Sequence, residues 1–526
     1  MPDFIETIKY TTYLVKMWEK SRFTNGKTLS ETLTLNGIPF WDIFAVDLAR
    51  IYIPQALYAE VNSSIISRTI KPELVRLKYC LRDFVKNKYN MNGCSSWPAD
   101  KTILCLDFSE HMSKDVVQPL VAHLTDKKGV KVVSMMDKSR ANKSVGSHHY
   151  SLHQTIWEHW DKQVDQKVSA LRKELNKIKN ELRASNDLMN LISDGDRSLY
   201  PQLENVFNRF LDVELSNFIP RAVLARHILE KHRPTLVISA DVANPRTRVY
   251  TLLCKQMGIP CLEVQFGLTG NEGIEWQFFS ADKVAVWGED AKETMLKHGV
   301  PDEKIIITGS PRHDSLTNVS DAEVKLMRAK LGVPDASKLV LLASTYRLNS
   351  YDAYSNAELL RSMKRAVFEA ADKSSGICLV VKPHPVENVR ETRSIAGKNK
   401  NIIFVSQKSD IRELSRICDA FVSFGSTATL DALILGKLVI CPVFPGWIWS
   451  NLFTYTGATL EPNSFHEVLE AFRLVDNDMH EGVKAKLEIA RQKVLSNWVY
   501  RADCMATKRI AELALNMAEI NIGTKY

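Results

Sequence analysis

The chain has 526 residues, 45% of them hydrophobic and 25% charged, with 69 Lys and Arg against 61 Asp and Glu and a formal charge of +8. That length and composition suit several domain-sized units and exclude a disordered, collagenous or small disulfide-stapled protein. The modest basic excess suits an anionic small substrate or a membrane surface and is not a nucleic-acid signature.

The nine Cys are scattered, several inside apolar runs such as ILCLDF and ICLVV, and form no C-x-x-C pair. This pattern predicts reduced thiols in a cytoplasmic protein. The opening MPDFIETIKY carries no signal-peptide pattern, and no apolar run is long enough to span a bilayer. The expectation is a cytoplasmic protein, with room for peripheral contact at the inner membrane face.

In chain order, residues 1–100 read as a mixed, mainly helical extension. PFWDIFAVDLARIYIPQALY is apolar and aromatic enough for buried helices. Residues 65–90 carry a run of Lys and Arg that reads as a solvated helix face or a surface for an anionic acceptor or membrane. From residue 102, short apolar runs alternate with helical patterns: TILCLDFS, VKVVSMM, TLVISAD, PCLEVQF, KVAVWG and KIIITG as strands, with helices over 112–126, 220–232, 245–257 and 289–298. Residues 151–192 interrupt this series with a 4-3 apolar spacing through Trp157, Val164, Val168, Leu171, Leu175, Ile178, Leu182, Met189 and Ile192. That spacing places one narrow seam along a long helix. It predicts a coiled-coil-like arm or self-association surface, or a helix lying on its own domain.

A second series follows a polar linker at 315–337, with strands KLVLLAST, ICLVVKPHP, NIIFVS, DAFVSF and KLVICPVF and helices over 353–372, 410–418 and 426–435. Helical patterns at 464–475 and 482–519 close the chain. Continuous apolar strands alternating with helices predict parallel sheets covered on both faces. The expected fold is α/β with two Rossmann-like domains. The expected divisions are a 1–100 extension, a 101–312 acceptor domain with a helical insertion at about 151–200, a 313–475 nucleotide-donor domain, and helices over 476–526.

Four segments fall at the C-terminal ends of predicted strands, where open α/β sheets bind ligands. Gly309-Ser310-Pro311-Arg312-His313-Asp314 offers backbone N–H groups and a guanidinium for a phosphate, or an ordinary hinge turn with Asp314 as a cap. Ser344-Thr345-Tyr346-Arg347 offers hydroxyls, a ring and a guanidinium. Lys382-Pro383-His384-Pro385 holds an imidazole and an ammonium in a stiff extended segment suited to a diphosphate. Ser423-Phe424-Gly425-Ser426-Thr427 leads into a helix whose first N–H groups suit an anion, or are simply capped by Ser426 or Thr427.

These four segments resemble the donor half of GT-B glycosyltransferases. More closely, they resemble the superfamily of CDP-glycerol glycerophosphotransferases and bacterial capsule or surface-polysaccharide transferases. The likeness rests on GSPRHD at 309–314, STYR at 344–347, KPHP at 382–385 and FGSTATLDALILGKLVICP at 424–442. Bacterial sialyltransferases share the HP and Ser-Ser/Thr pair. The resemblance implies a nucleotide-activated donor held by Ser310, Arg312, Thr345, Arg347, Lys382, His384, Gly425, Ser426 and Thr427, with Asp431 at the nucleotide or ribose.

Where the glycerophosphotransferases carry Gln-His-Gly, this chain reads Gln265-Phe266-Gly267, so the base must lie elsewhere and a sugar donor fits better than glycerol phosphate. Asp241, ending TLVISAD, is the best-placed base. Glu272 is the second candidate, and Asp107 and Glu110 end the first strand. PTLVISAD and VQFGLTG also resemble UDP-N-acetylglucosamine 2-epimerases, which would again make Asp241 catalytic. A metal site is not expected: His148, His149, His153 and His159 lack zinc-like partners, and Asp194-Gly195-Asp196 reads as a turn.

The sequence therefore predicts a metal-independent glycosyltransferase of surface-polysaccharide or capsule synthesis, without a cofactor. Its donor would carry a cytidine or uridine nucleotide and its acceptor would be a glycan or lipid-linked. Alternatives are an epimerase, a polyol-phosphate transferase, and a non-catalytic assembly protein. A homo-oligomer would form through the 157–192 helix.

Overall fold

The predicted strands fold into two separate all-parallel sheets. The structure is a computed structural model that describes residues 4–58, 97, 101–109, 112–125, 130–137, 151–185, 187–241, 243–267, 273–317, 319–345, 357–385, 387–447 and 456–520. The N-terminal half holds β1 (Thr102–Asp107), β2 (Lys131–Met136), β3 (Ser151–Thr155), β4 (Leu236–Ser239), β5 (Cys261–Val264), β6 (Lys283–Val286) and β7 (Ile305–Ile307). Their spatial order is β7-β6-β5-β4-β1-β2-β3. The C-terminal half holds β8 (Lys338–Ala343), β9 (Ile377–Lys382), β10 (Ile402–Phe404), β11 (Ala420–Ser423) and β12 (Leu438–Ile440), in the order β10-β9-β8-β11-β12. Every residue of β1, β4, β5, β9 and β11 is buried, as expected of strands covered on both faces.

Chain order reverses direction once in each sheet, between β1 and β4 and between β8 and β11. Loops leaving the two strands at such a switch diverge, one to each face, and open a crevice at their C-terminal ends.

The helices cover these sheets. The main ones are α1 (Phe4–Lys20), α2 (Phe40–Asp47), α3 (Lys162–Ala184), α4 (Ser216–His232), α5 (Pro245–Met257), α6 (Asp321–Leu331), α7 (Ala357–Asp372), α8 (Ile411–Ile417), α9 (Ala428–Ile434), α10 (Phe465–Asp476), α11 (His480–Trp498) and α12 (Ala506–Ile520). The N-terminal helices are no appendage: Trp18, Phe40, Trp41 and Phe44 share one apolar core with Phe207, Phe210 and Ile219. The basic stretch at 65–90 lies outside the described residues.

Three expectations change. The 157–192 seam is spent inside its own domain: Val164, Val168, Leu171, Leu175 and Leu182 are buried in that same core, where α3 packs on α4. A coiled-coil arm or a dimer through this seam has no exposed apolar stripe to use. Residues 151–155 form β3, a strand pairing with β2. The polar linker contains α6, which buries no residue and is held by a Ser320–Glu323 capping box and by Gly332 at φ +77°. Its apolar residues Val324, Met327 and Leu331 only half-bury against the C-terminal core, so the segment reads as a polar linker.

The C-terminal tail crosses back to the N-terminal half. Ile510, Ala511 and Ala514 of α12 pack with Ile103, Leu236 and Ile238 of that sheet. Gly288 permits the crossing, because a Cβ there would lie 2.3 Å from the Asn497 carbonyl oxygen.

Candidate active site

The strand-end motifs of the C-terminal half converge around the β8/β11 switch. Thr345 follows β8, Lys382 and His384 end β9, and Gly425–Thr427 follows β11. Burial lowers the pKa of Lys382, while the Glu387 and Asp410 carboxylates work against that shift. His384 is partly exposed, and its backbone N–H donates to Glu387 Oε2 at 2.8 Å. Thr345 is likewise partly exposed and accepts at its carbonyl from Lys364 Nζ, 2.8 Å away. Arg347 lies outside the described residues.

The loop after β11 is braced from below. Ser423 Oγ accepts from the N–H of Gly425 (3.3 Å) and Ser426 (2.9 Å). Ser426 Oγ accepts from Ala428 N–H at 3.2 Å, so this hydroxyl acts as a cap in this structure. Gly425 sits at φ +103°, a conformation that disfavours any side chain. Thr427 takes the N-cap position of α9.

The GSPRHD segment behaves differently from a phosphate clamp. Arg312 Nε donates to Asp431 Oδ1 at 3.0 Å, its Nη2 pairs with Asp431 Oδ2, and its Nη1 reaches Asp115 Oδ2 at 2.5 Å. Burial opposes the guanidinium charge, but Asp431 and Asp115 outweigh it and hold its pKa above the ordinary value. Asp431 is fully buried, so the expected nucleotide or ribose contact is not on offer here. Arg412 adds a bond to Asp115 Oδ1 at 3.2 Å, and Lys114 pairs with Asp410. Asp115 and Lys114 follow β1, whereas Asp410 and Arg412 lie at the start of α8. These ion pairs therefore bring the C-terminal ends of the two sheets against one another.

The rest of the segment is structural as well. His313 packs edge-on against Trp287 at 5.0 Å, and its pKa is pushed down to about 3 by burial and the adjacent Arg312. Ser310 is buried, with no partner for its hydroxyl. Asp314 does cap a helix, but one far along the chain: its carboxylate accepts from the N–H of Ala506 (3.0 Å) and Thr507 (2.7 Å) at the start of α12.

In the N-terminal half, Asp241 leaves β4 at the other switch with φ +78°. Burial raises its pKa, against a 3.3 Å hydrogen bond from Asn244 Nδ2 and the charge of Arg246. Asp47, at the end of α2, is raised to about 7 by burial and by the negative charges of Glu214 and Asp241. Arg50 pairs with Glu275 at 3.2 Å beside them. Asp107 accepts from Ser113 Oγ at 3.0 Å. Gln265 serves the fold, its Oε1 accepting from Trp287 N–H at 2.8 Å, and Phe266 is partly exposed beside it. Glu272 and Glu110 lie outside the described residues.

Among the described residues, no group of three or more His, Cys, Asp or Glu is arranged to hold a metal. His148 and His149 lie outside those residues, and His153 belongs to β3. Asp194–Asp196 is a hairpin turn with Gly195 at φ +57°.

Sequence reasoning missed Asp115, Arg412, Glu387 and Gln407. Asp115 and Arg412 lie in helical stretches without motif spacing. Glu387, three residues beyond His384, was the one with a readable position.

Residues 254–441 match the family model described as CDP-Glycerol:Poly(glycerophosphate) glycerophosphotransferase. The chain has a GT-B-type fold, with its transferase-family match confined to 254–441. Among solved structures, the chain is similar to a variant of the wall teichoic acid polymerase TagF. The identity is 11%, the match covers 86% of this chain and 99% of that one, and the TM-score is 0.52. A CDPG-soaked TagF variant aligns with the same identity and coverage and a TM-score of 0.51. It is also similar to S. aureus MnaA in complex with UDP, with 14% identity, 79% and 97% coverage and a TM-score of 0.51. At these identities the likeness is one of fold. No curated protein sequence matches the chain significantly. Among the described residues, no helix is long and apolar enough to cross a membrane.

Proposed function

We propose that this transferase moves a glycosyl group from a cytidine or uridine nucleotide donor to a glycan or lipid-linked acceptor in cell-surface polymer synthesis. The observation that carries this reading is the convergence of Lys382, His384, Thr345 and the 425–427 loop at one switch point. An ammonium, an imidazole and a glycine-containing turn there suit a leaving phosphate, whose charge they would neutralise electrostatically. Across the cleft, Asp241 takes the acceptor proton, its raised pKa bringing it nearer to neutral pH. Glu272 is the second candidate for that role.

A polyol-phosphate donor is the second reading, favoured by the family match over 254–441. Phe266 in place of the family histidine is the reason it comes second.

Thermal shift with CMP, CDP, UMP and UDP tests the donor site. A ligand at 100 times its dissociation constant adds about 2.7 kcal/mol. Stabilisation by one nucleotide, abolished in His384→Ala, is the expected result, and no shift with any of them overturns the reading. Offering CDP-glycerol and nucleotide sugars, and identifying the nucleotide released, separates the two donor classes.

A further inference from the structure

We propose that Glu387 is a positioning residue that locks the 344–345 and 382–385 loops into one preformed phosphate-facing unit; this deepens the donor reading above and rests on it. Its side chain is 2% exposed and is paired with Lys364, itself 6% exposed. Oε1 accepts from Ser344 Oγ at 2.7 Å, Lys364 Nζ at 2.7 Å and Thr392 Oγ1 at 2.5 Å. Oε2 accepts from the His384 N–H at 2.8 Å. These donors come from the loop after β8, from α7, from the helix Val389–Ala396 and from the loop after β9. Lys364 extends the hub, donating to the Thr345 carbonyl at 2.8 Å.

The other side of the same loop is held by Gln407. Its Nε2 lies 2.8 Å from the carbonyl of His384, 3.2 Å from that of Pro385 and 3.1 Å from that of Glu387. The segment bearing the imidazole is therefore gripped at its N–H by Glu387 and at its carbonyls by Gln407.

A buried ion pair is seldom the most stabilising way to fill a core, because desolvating both charges offsets their attraction. What this pair supplies is direction. One carboxylate fixes the spacing between Thr345 and His384, so the two loops move together or not at all. A phosphate then meets groups already in place, without an ordering cost on binding.

The test measures dissociation constants of CDP and UDP, and of cytidine and uridine, by calorimetry on wild type, Glu387→Gln and Gln407→Ala. Backbone amide exchange on the same three proteins accompanies it. Glu387→Gln keeps the size but has one acceptor oxygen in place of two, so it cannot serve the His384 N–H and the Ser344, Lys364 and Thr392 donors at once. The expected result is a rise of ~10- to 100-fold in the diphosphate constant of both variants, the cost of a small misplacement of binding groups. Nucleoside binding stays unchanged, and exchange accelerates at Ser344, Thr345, Lys382 and His384 alone. Unchanged diphosphate binding, an equal loss for nucleosides, or unaltered exchange in those loops overturns the proposal. If wild type binds neither diphosphate, the donor reading fails and the exchange result alone decides for or against Glu387. Gln407 lies at a partly exposed position, so Gln407→Ala carries the test should Glu387→Gln fail to fold.

Discussion

Arg312 grips Asp431 of α9 with two nitrogens while its third reaches Asp115 in the N-terminal half. A single side chain in the hinge thus joins the base of the donor-side loop to the element following β1. Arg312→Met leaves the fully buried Asp431 without its partner. Breaking such a pair costs ~3–5 kcal/mol. Urea denaturation should show this loss. The double variant Arg312→Met/Asp431→Leu should lose less than the two single changes summed, because no charge is left stranded.

Asp241 is testable without disturbing the backbone. Its φ of +78° is tolerated by Asn far better than by Ala. Asp241→Asn should therefore fold normally and bind the donor nucleotide as wild type does, with kcat lower by ~10²–10⁴-fold. Steady-state kinetics on the donor that is turned over checks this, and an unaffected kcat removes Asp241 as the base.

Gly425 carries a different constraint. At φ +103° a methyl group strains the turn by ~1–3 kcal/mol. Gly425→Ala should lower the melting temperature and, on the proposed donor reading, weaken nucleotide binding together, because the strained turn shifts Ser426 and Thr427. Calorimetric melting with and without nucleotide reads both effects.

The histidines of the N-terminal half set a pH dependence. His232 Nε2 and His159 Nδ1 lie 3.3 Å apart, and Trp97 stacks on His232 at 4.0 Å. Burial pushes His159 down to about 3 and His232 to about 4. Both are neutral in the fold, whereas the unfolded chain binds protons at these residues near pH 6.5. Their contribution is fully present above about pH 6.5 and declines as pH falls toward the folded values, by up to ~1.4 kcal/mol per pH unit for His159 and by less for the half-exposed His232, whose charge water screens. His159→Gln should show a shallower loss of stability between pH 6.5 and 4 in denaturant titrations.

The returning tail depends on a cap and a close approach. Asp314→Ala frees the first N–H groups of α12 and should cost ~0.5–2 kcal/mol. Gly288→Ala should cost more, since the Asn497 carbonyl it would strike is backbone. Limited proteolysis between α11 and α12 should accelerate in both variants.

The parallel sheets were legible because each strand carries its own signal. A run such as ILCLD or ICLVV is buried on both faces, so its apolar continuity is local information. The strand ends were legible for the same reason, and they placed Thr345, Lys382, His384 and Gly425–Thr427 at the crevice mouth. β3 and α6 were not: SLHQT is too mixed to read as a buried strand, and the half-buried Val324, Met327 and Leu331 of α6 are interspersed with charged residues.

What each polar group of the motifs does was decided by tertiary structure. Arg312 and Asp431 look in sequence like ligand contacts, yet the fold brings them together with Asp115 from nearly two hundred residues away. The spacing along α3 reads equally as a free seam or as a helix lying on its own domain, and only the fold shows α4 covering it. Glu387 looks like a loop residue, yet four donors from separate elements converge on it. Hydrophobic period and turn chemistry are written locally, so the sequence by itself determined the strands, the helices and the strand-end motifs. Ion pairs and buried carboxylates depend on which strand ends the sheet order brings together, and only the assembled fold fixes that.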